Sequence, residues 1–204
     1  MQVLRNHWFD LGCILAVVAL GHLYVNFNEF TYYRIVLYIN LISLFLHHFE
    51  EYRIIGTYPE MINKVLFKSE LPDRFPLNPQ IALLTNVGIG WVSYLGAVIF
   101  AESAVWLGIA AIIISFGNFI THTFLFNIKA RSIFNAGMIT GILQFLPVSA
   151  VFFWIVIDQN LGSSLDYLIG IPLGVLLFYT GELKMIDWLK DRDTDYIFPE
   201  RNLY

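Results

Sequence analysis

Histidine and carboxylate side chains recur at helical spacing in the segment His47-His48-Phe49-Glu50-Glu51. Residues three and four positions apart are neighbours on an α-helix, so Glu50 and Glu51 flank the face that carries His47. His48 points about 100° away from that face, because a helix has about 3.6 residues per turn. Imidazole and carboxylate groups at this spacing are typical of metal sites in helical bundles.

A second polar pair, Asn118-x-x-x-His122, places an amide one turn from another imidazole. Together these residues predict a divalent metal held by His47, His122 and either Glu50 or Glu51. Such a ligand set serves zinc or non-haem iron, and the sequence does not choose between them. The remaining acid would work as a general base toward water, and Asn118 would orient His122 or polarise a substrate carbonyl.

Two simpler interpretations of these residues stay open. Histidine and glutamate at a membrane interface are common as solvated helix ends, and Asn118 and His122 could simply hold two helices together. However, adjacent acids at a helix C-terminus oppose the helix dipole, at a cost of about 0.3–1 kcal/mol each. Arg53 could offset only one of Glu50 and Glu51, so a purely structural helix end is not the natural expectation here.

The elements that must position these residues are membrane-spanning helices. Hydrophobic residues make up 57% of the 204 residues and charged residues 14%, against roughly 25% charged in a soluble domain. The net charge of −4 excludes a basic nucleic-acid surface, and the single Cys13 excludes a disulfide scaffold. We expect an all-α polytopic membrane protein with one domain over residues 1–204. Its six spanning helices are predicted near 8–26, 31–50, 80–100, 103–127, 137–157 and 165–185.

The loops predict the orientation of this bundle. With the N-terminus inside, every Lys and Arg except Arg34 falls on the cytoplasmic side, which predicts a multi-pass cell-membrane protein with both termini in the cytoplasm. The cytoplasmic loop 52–79 contains an amphipathic stretch, 59–68, that begins with a proline and suits a helix lying in the membrane interface. The tail, 186–204, is charged and is expected to be exposed.

In this topology the polar side chains of all six helices lie at one depth, just inside the cytoplasmic boundary. Polar groups within a membrane are costly, so such a layer indicates a functional site. Three of its members could support the ligands through hydrogen bonds, and these are Asp10, Asn86 and Glu182.

The string His47-x-x-Glu50-Glu51 near the end of an early helix resembles the signature of the HXXEE family of uncharacterised integral membrane proteins. Asn118-x-x-x-His122 is similar to the further asparagine and histidine of that family. The segment 134–140 resembles its Asn-Pro-Gly turn, with Ala136 where the family has proline. The family's function is unknown, and its polar motifs imply enzymes.

From these observations we predict a membrane-embedded, metal-dependent hydrolase. Its site at the cytoplasmic lipid boundary would suit a lipid-like substrate. One alternative is a small transporter in which the His/Glu cluster relays protons or binds a cation. Another is a structural or regulatory membrane subunit in which the cluster only holds helices together. The expected surroundings are the lipid bilayer and no nucleic acid, and the sequence leaves open whether the chain forms a homo-oligomer.

Overall fold

The described chain is helical, as its sequence predicts. The structure is a computed structural model that describes residues 2–203, apart from the side chain of Glu182. Its α-helices, numbered in chain order, are α1 Gln2–Val25, α2 Tyr32–Phe49, α3 Tyr58–Glu60, α4 Pro79–Ile99, α5 Val105–Ala130, α6 Met138–Asp158 and α7 Ser164–Tyr179. A further α-helical turn, Met185–Leu189, and a 3₁₀ turn, Glu200–Asn202, lie in the tail. No strand occurs among the described residues, which confirms the all-helical class.

Wider, π-helical turns accompany α2 and every later helix in the described chain. They cover Glu50–Ile54, Met61–Leu66, Leu84–Trp91, Thr121–Leu125, Gly141–Phe145 and Thr180–Lys184. In a π turn the N–H group bonds to the carbonyl five residues earlier, as Ile55 does with Glu50. Such turns shift the face on which later side chains lie, and they are frequent at functional sites.

Four helices, α1, α4, α5 and α6, are long and apolar enough to cross a membrane. The prediction of six spanning helices is therefore not confirmed. The α-helical part of α7 has only 16 residues. The 18-residue α2 carries Arg34, Asn40 and two histidines, which lower its hydropathy.

The polar content of α2 is explained by its central position, where it packs against α1, α4, α5 and α6. Asn40 is buried and accepts a hydrogen bond of 2.7 Å from Ser115 on α5. Ser115 also lies 2.6 Å from the hydroxyl of Tyr94 on α4. Much of the polar surface of α2 therefore faces other helices.

Local sequence signals set the ends of the helices beside α2. Asn78 caps α4 by accepting from the N–H groups of Gln80 and Ile81, with Pro79 at the first helical position, where its missing N–H costs nothing. Ser163 and Asp166 form a capping box at the start of α7. α5 and α7 approach closely, because a Cβ atom at Gly174 would lie only 2.6 Å from that of Ile113.

The long loop and the tail pack together at one end of the bundle, which we call the long-loop end. Residues 58–66 are helical, in agreement with the proline-initiated pattern in the sequence. The expectation of an exposed tail is wrong in part, because Phe198 and Asn202 are buried. Phe198 donates its N–H to the carbonyl of Asp73 at 2.8 Å. The amide of Asn202 donates to the carbonyls of Tyr52 and Gly56, which close the helical segment after α2.

Candidate metal centre

Three potential metal ligands, His47, Glu51 and His122, converge inside the long-loop end of the bundle. His47 lies in the last turn of α2, Glu51 in the π turn that follows it, and His122 in the π turn of α5. Oε1 of Glu51 lies 3.4 Å from Nε2 of His47 and 3.2 Å from Nε2 of His122. The three side chains are at most 5% exposed, and their ligand atoms all lie within 4.8 Å of one another.

The orientation of His47 is fixed by Thr140. Nδ1 of His47 lies 2.7 Å from the Thr140 hydroxyl, which in turn lies 2.6 Å from Oε2 of Glu50. The hydroxyl has one proton, and a carboxylate is its strongest acceptor, so Nδ1 of His47 carries a proton and donates to Thr140. Nε2 of His47 is then left with a lone pair directed toward Glu51.

Glu50 is occupied by the N-terminus of α6. Its carboxylate accepts hydrogen bonds from the N–H groups of Gly137 at 2.9 Å, Ile139 at 3.1 Å and Thr140 at 2.8 Å. The first N–H groups of a helix have no partner within the helix and carry a partial positive charge, so they form a natural site for an anion. Glu50 therefore joins α6 to the end of α2, and its oxygens are not part of the three-ligand group.

Asn135 fixes His122 in the same way that Thr140 fixes His47. The amide nitrogen of Asn135 donates to the carbonyl of His122 at 2.7 Å and to Oδ1 of Asn127 at 2.8 Å. These two bonds place Oδ1 of Asn135 toward Nδ1 of His122, at 2.8 Å. Because an amide oxygen only accepts, Nδ1 of His122 must donate, and its Nε2 lone pair also faces Glu51.

The donor set fits a divalent metal ion. Both imidazoles hold their Nδ1 protons on outer partners and direct Nε2 at one carboxylate, which is the arrangement that metal-binding histidines adopt. Nε2 of His47 is buried and has no hydrogen-bond partner in the described structure, a costly state that a metal would relieve. Two imidazoles and one carboxylate suit zinc or non-haem iron and leave coordination positions open for a further ligand.

Gly137 lets the start of α6 reach both histidines. Its φ angle of +96° lies in the left-handed region that favours glycine. A Cβ atom there would lie 2.5 Å from Nδ1 of His122 and 2.8 Å from Cε1 of His47. Glycine at this position thus permits the close approach that brings its N–H group to Glu50.

Aromatic rings pack against both histidines and bury the cluster. The ring of Phe145 lies 4.8 Å from that of His47, and the ring of Phe126 packs edge-on at 4.9 Å from that of His122. Tyr58, from α3, stacks on His122 at 5.9 Å. A low local dielectric strengthens any charge interaction within the cluster.

His48 and Asn118 lie in a separate polar region. Nδ1 of His48 accepts from the indole N–H of Trp91 at 3.2 Å, and its ring packs edge-on against Trp8. The amide of Asn118 donates to the carbonyl of Ile114 at 3.2 Å. Both residues line a small cavity of about 30 Å³ together with Asn86.

The predicted supporting residues occupy other positions. Asp10 pairs with His7 at 2.7 Å and with Arg53 at 3.2 Å, near the loop surface. Asn86 donates to the carbonyl of Ala82 at 2.9 Å and to the Tyr52 hydroxyl at 3.3 Å. The side chain of Glu182 lies outside the described residues. Instead, Thr140 and Asn135 directly support the two histidines.

The comparison with protein families identifies the relationship. The sequence model described as "Protein of unknown function with HXXEE motif" matches residues 38–152, more than half of the chain. The chain belongs to the HXXEE family. The matched range contains the three converging residues and both of their supports, whereas Asp10 and the tail lie outside it. Comparison with curated proteins and with solved structures gave no match.

Proposed function

We propose that this HXXEE protein is a membrane-embedded, metal-dependent hydrolase that acts on a lipid-like substrate at the cytoplasmic boundary. In this proposal His47, Glu51 and His122 are the ligands, and both termini lie in the cytoplasm. α2 and α7, extended by their π turns, complete a bundle of six spanning helices. The observation that carries the proposal is the convergence of Nε2 of His47 and Nε2 of His122 on one buried carboxylate oxygen of Glu51.

The roles of the protein's own groups follow from this geometry. A zinc or iron ion bound there would act as a Lewis acid, polarising a substrate carbonyl or activating water. Thr140 and Asn135 hold the two imidazoles in the required tautomer, and Glu50 anchors Thr140. Among the described side chains, Glu51 is the one carboxylate directed at both imidazoles, so it carries the negative charge of the ligand set.

Three features support a lipid-like substrate. The cluster lies at the long-loop end of helices that are apolar enough to cross a membrane. Aromatic rings pack against both histidines, and these apolar surroundings suit a substrate with an apolar part. The neighbouring segment 58–66 carries apolar side chains on one face, as expected of a helix that lies in a membrane interface.

The direct test is a screen for hydrolysis of lipid esters and amides in mixed micelles, with purified protein loaded with zinc or iron. Wild type and His48→Gln should release product, and Glu51→Gln should not, although it remains folded by circular dichroism. Equal turnover by Glu51→Gln and wild type would exclude the proposed site.

Proton or cation transport is a second candidate, favoured by the buried hydrogen-bonded series Glu50–Thr140–His47. It predicts pH-driven flux in proteoliposomes that Glu50→Gln abolishes. Hydrolysis without flux would leave the enzyme as the only account of the two.

A further inference from the structure

Two cavities lie at the long-loop end, and the segment that follows α3 lines both of them. We call the one that reaches α5 and the end of α7 the inner cavity, and the one lined by the loop and by Lys190 and Arg192 of the tail the outer cleft. The inner cavity, of about 60 Å³, is almost entirely apolar. The outer one is an open cleft of about 410 Å³ with a polar lining. Their walls adjoin, because Leu66 lines the inner cavity and Phe67, the next residue, lines the outer cleft.

The outer cleft carries an excess of positive charge. Lys68, Lys190 and Arg192 line it, against the single acid Glu70. Arg192 lies 3.6 Å from Glu70, and Lys190 pairs at 2.7 Å with Asp187, which does not line the cleft. In the part of the chain that the structure describes, no acid pairs with Lys68. The volume of the outer cleft is in the range of small-ligand sites.

The inner cavity adjoins the candidate metal centre. It is lined by Leu66 from the segment that follows α3, by Phe126 from α5, and by Phe178 and Leu183 at and just beyond the end of α7. The ring of Phe126 also packs at 4.9 Å against His122. The helical stretch that contains Leu183 continues to Leu189, directly before Lys190, and this part of it is about 9 Å long.

We infer that the two cavities together bind one anionic phospholipid, whose phosphate lies in the basic cleft and whose acyl chain begins in the apolar cavity. The basic outer cleft and the apolar inner cavity follow one another as the phosphate and the acyl chain do in such a lipid. The cytoplasmic leaflet, where we propose that the site lies, is rich in anionic lipids. This inference rests on the proposed function, because it names the substrate class of the same site. It requires no bound metal.

The first part of the test probes the recognition of the lipid's negative charge. It uses native mass spectrometry of detergent-purified full-length protein with added phosphatidylglycerol or phosphatidylcholine. Wild type should retain phosphatidylglycerol about tenfold better than phosphatidylcholine. Lys68→Gln/Lys190→Gln/Arg192→Gln should lose this preference. The matched control Lys64→Gln/Lys129→Gln/Arg131→Gln removes the same charge from exposed positions outside the cleft and should keep it. Equal loss in both variants would mean general attraction to a basic surface and would overturn the site.

The second part of the test probes the site of the acyl chain with Leu183→Trp. This substitution fills the apolar cavity from an exposed position and should reduce retention of both lipids severalfold. Competition by glycerol phosphate as strong as that by phosphatidylglycerol would show that a free phosphate compound is the ligand and would overturn the two-part lipid site. His122→Ala separates this inference from the proposed function. It should lose metal and keep the lipid preference, whereas loss of the preference in this variant would contradict the metal-independent site.

Discussion

Two buried histidines stand next to each other in the sequence, and the regions around them differ in one decisive respect. His48 has its Nδ1 satisfied by Trp91 and packs among aromatic side chains. His47 has its Nδ1 satisfied by Thr140, but its Nε2 faces Glu51 and the Nε2 of His122 without a hydrogen-bond partner. Burial of an imidazole is therefore common to both regions. Convergent, unprotonated donor atoms distinguish the candidate metal centre.

The largest expected effect comes from removing a ligand. His122→Ala should abolish stoichiometric metal binding, because two remaining donors cannot hold the ion against chelation by the buffer. Isothermal titration of the apo protein with zinc measures this. His48→Gln should titrate like wild type. An unchanged isotherm for His122→Ala would show that the two histidine regions do not differ in the way proposed.

Gly137→Ala should disturb both histidines at once. The added methyl group meets the two imidazoles, and the backbone there has a positive φ, so we expect a loss of about 2–3 kcal/mol in stability. Thermal unfolding in detergent measures the loss. Gly88→Ala is the control, because its Cβ would meet no atom within 4 Å. Equal melting temperatures for the two variants would contradict the close contact.

Glu50→Gln and Glu51→Gln should separate the two adjacent acids. Glu50→Gln replaces one acceptor oxygen with a donor that faces the N–H groups of α6, so it should lower stability by about 2 kcal/mol. Glu51→Gln should instead abolish metal binding while the apo protein keeps its stability. Melting curves with and without zinc compare them. A larger loss of apo stability in Glu51→Gln would reverse the assigned roles.

The residues that orient the imidazoles should affect metal binding less than the ligands themselves do. Asn135→Leu and Thr140→Val each remove a hydrogen bond to a ligand, and such losses weaken metal affinity by about 10–100-fold. Competition with a fluorescent zinc chelator measures the change. Asn118→Leu should leave the affinity unchanged, because its amide bonds to a backbone carbonyl away from the cluster. An effect of Asn118→Leu as large as that of Asn135→Leu would contradict the separation of the two regions.

Helical periodicity alone placed part of this site. His47 and Glu51 are four residues apart, and they meet as neighbours on a helix should. The same spacing predicts Glu50 as a ligand equally well as Glu51. Helical spacing contains no information on the N-terminus of α6, which contacts Glu50 in the structure. That contact joins residues more than 80 positions apart. Asn135 and Thr140 were missed as supports for the same reason, although a polar pair around a glycine before a helix is a signal that could have marked them.

The candidate membrane-spanning helices show a similar limit. The apolar content of α1, α4, α5 and α6 identifies them from sequence. α2 resembles a spanning helix less because its polar side chains bond to other helices, as Asn40 does to Ser115. The π turns could not be predicted from the hydrophobic periodicity of the sequence either, because that analysis assumes an α-helical repeat throughout.

The central claim is that His47, Glu51 and His122 bind one divalent metal ion, and elemental analysis of the purified protein tests it most directly. Wild type and His48→Gln should contain about one zinc or iron ion per chain when they are purified in detergent without chelator. A folded His47→Ala/His122→Ala protein should contain none. Wild type without metal even after reconstitution, or a double variant with the wild-type amount, would contradict the account.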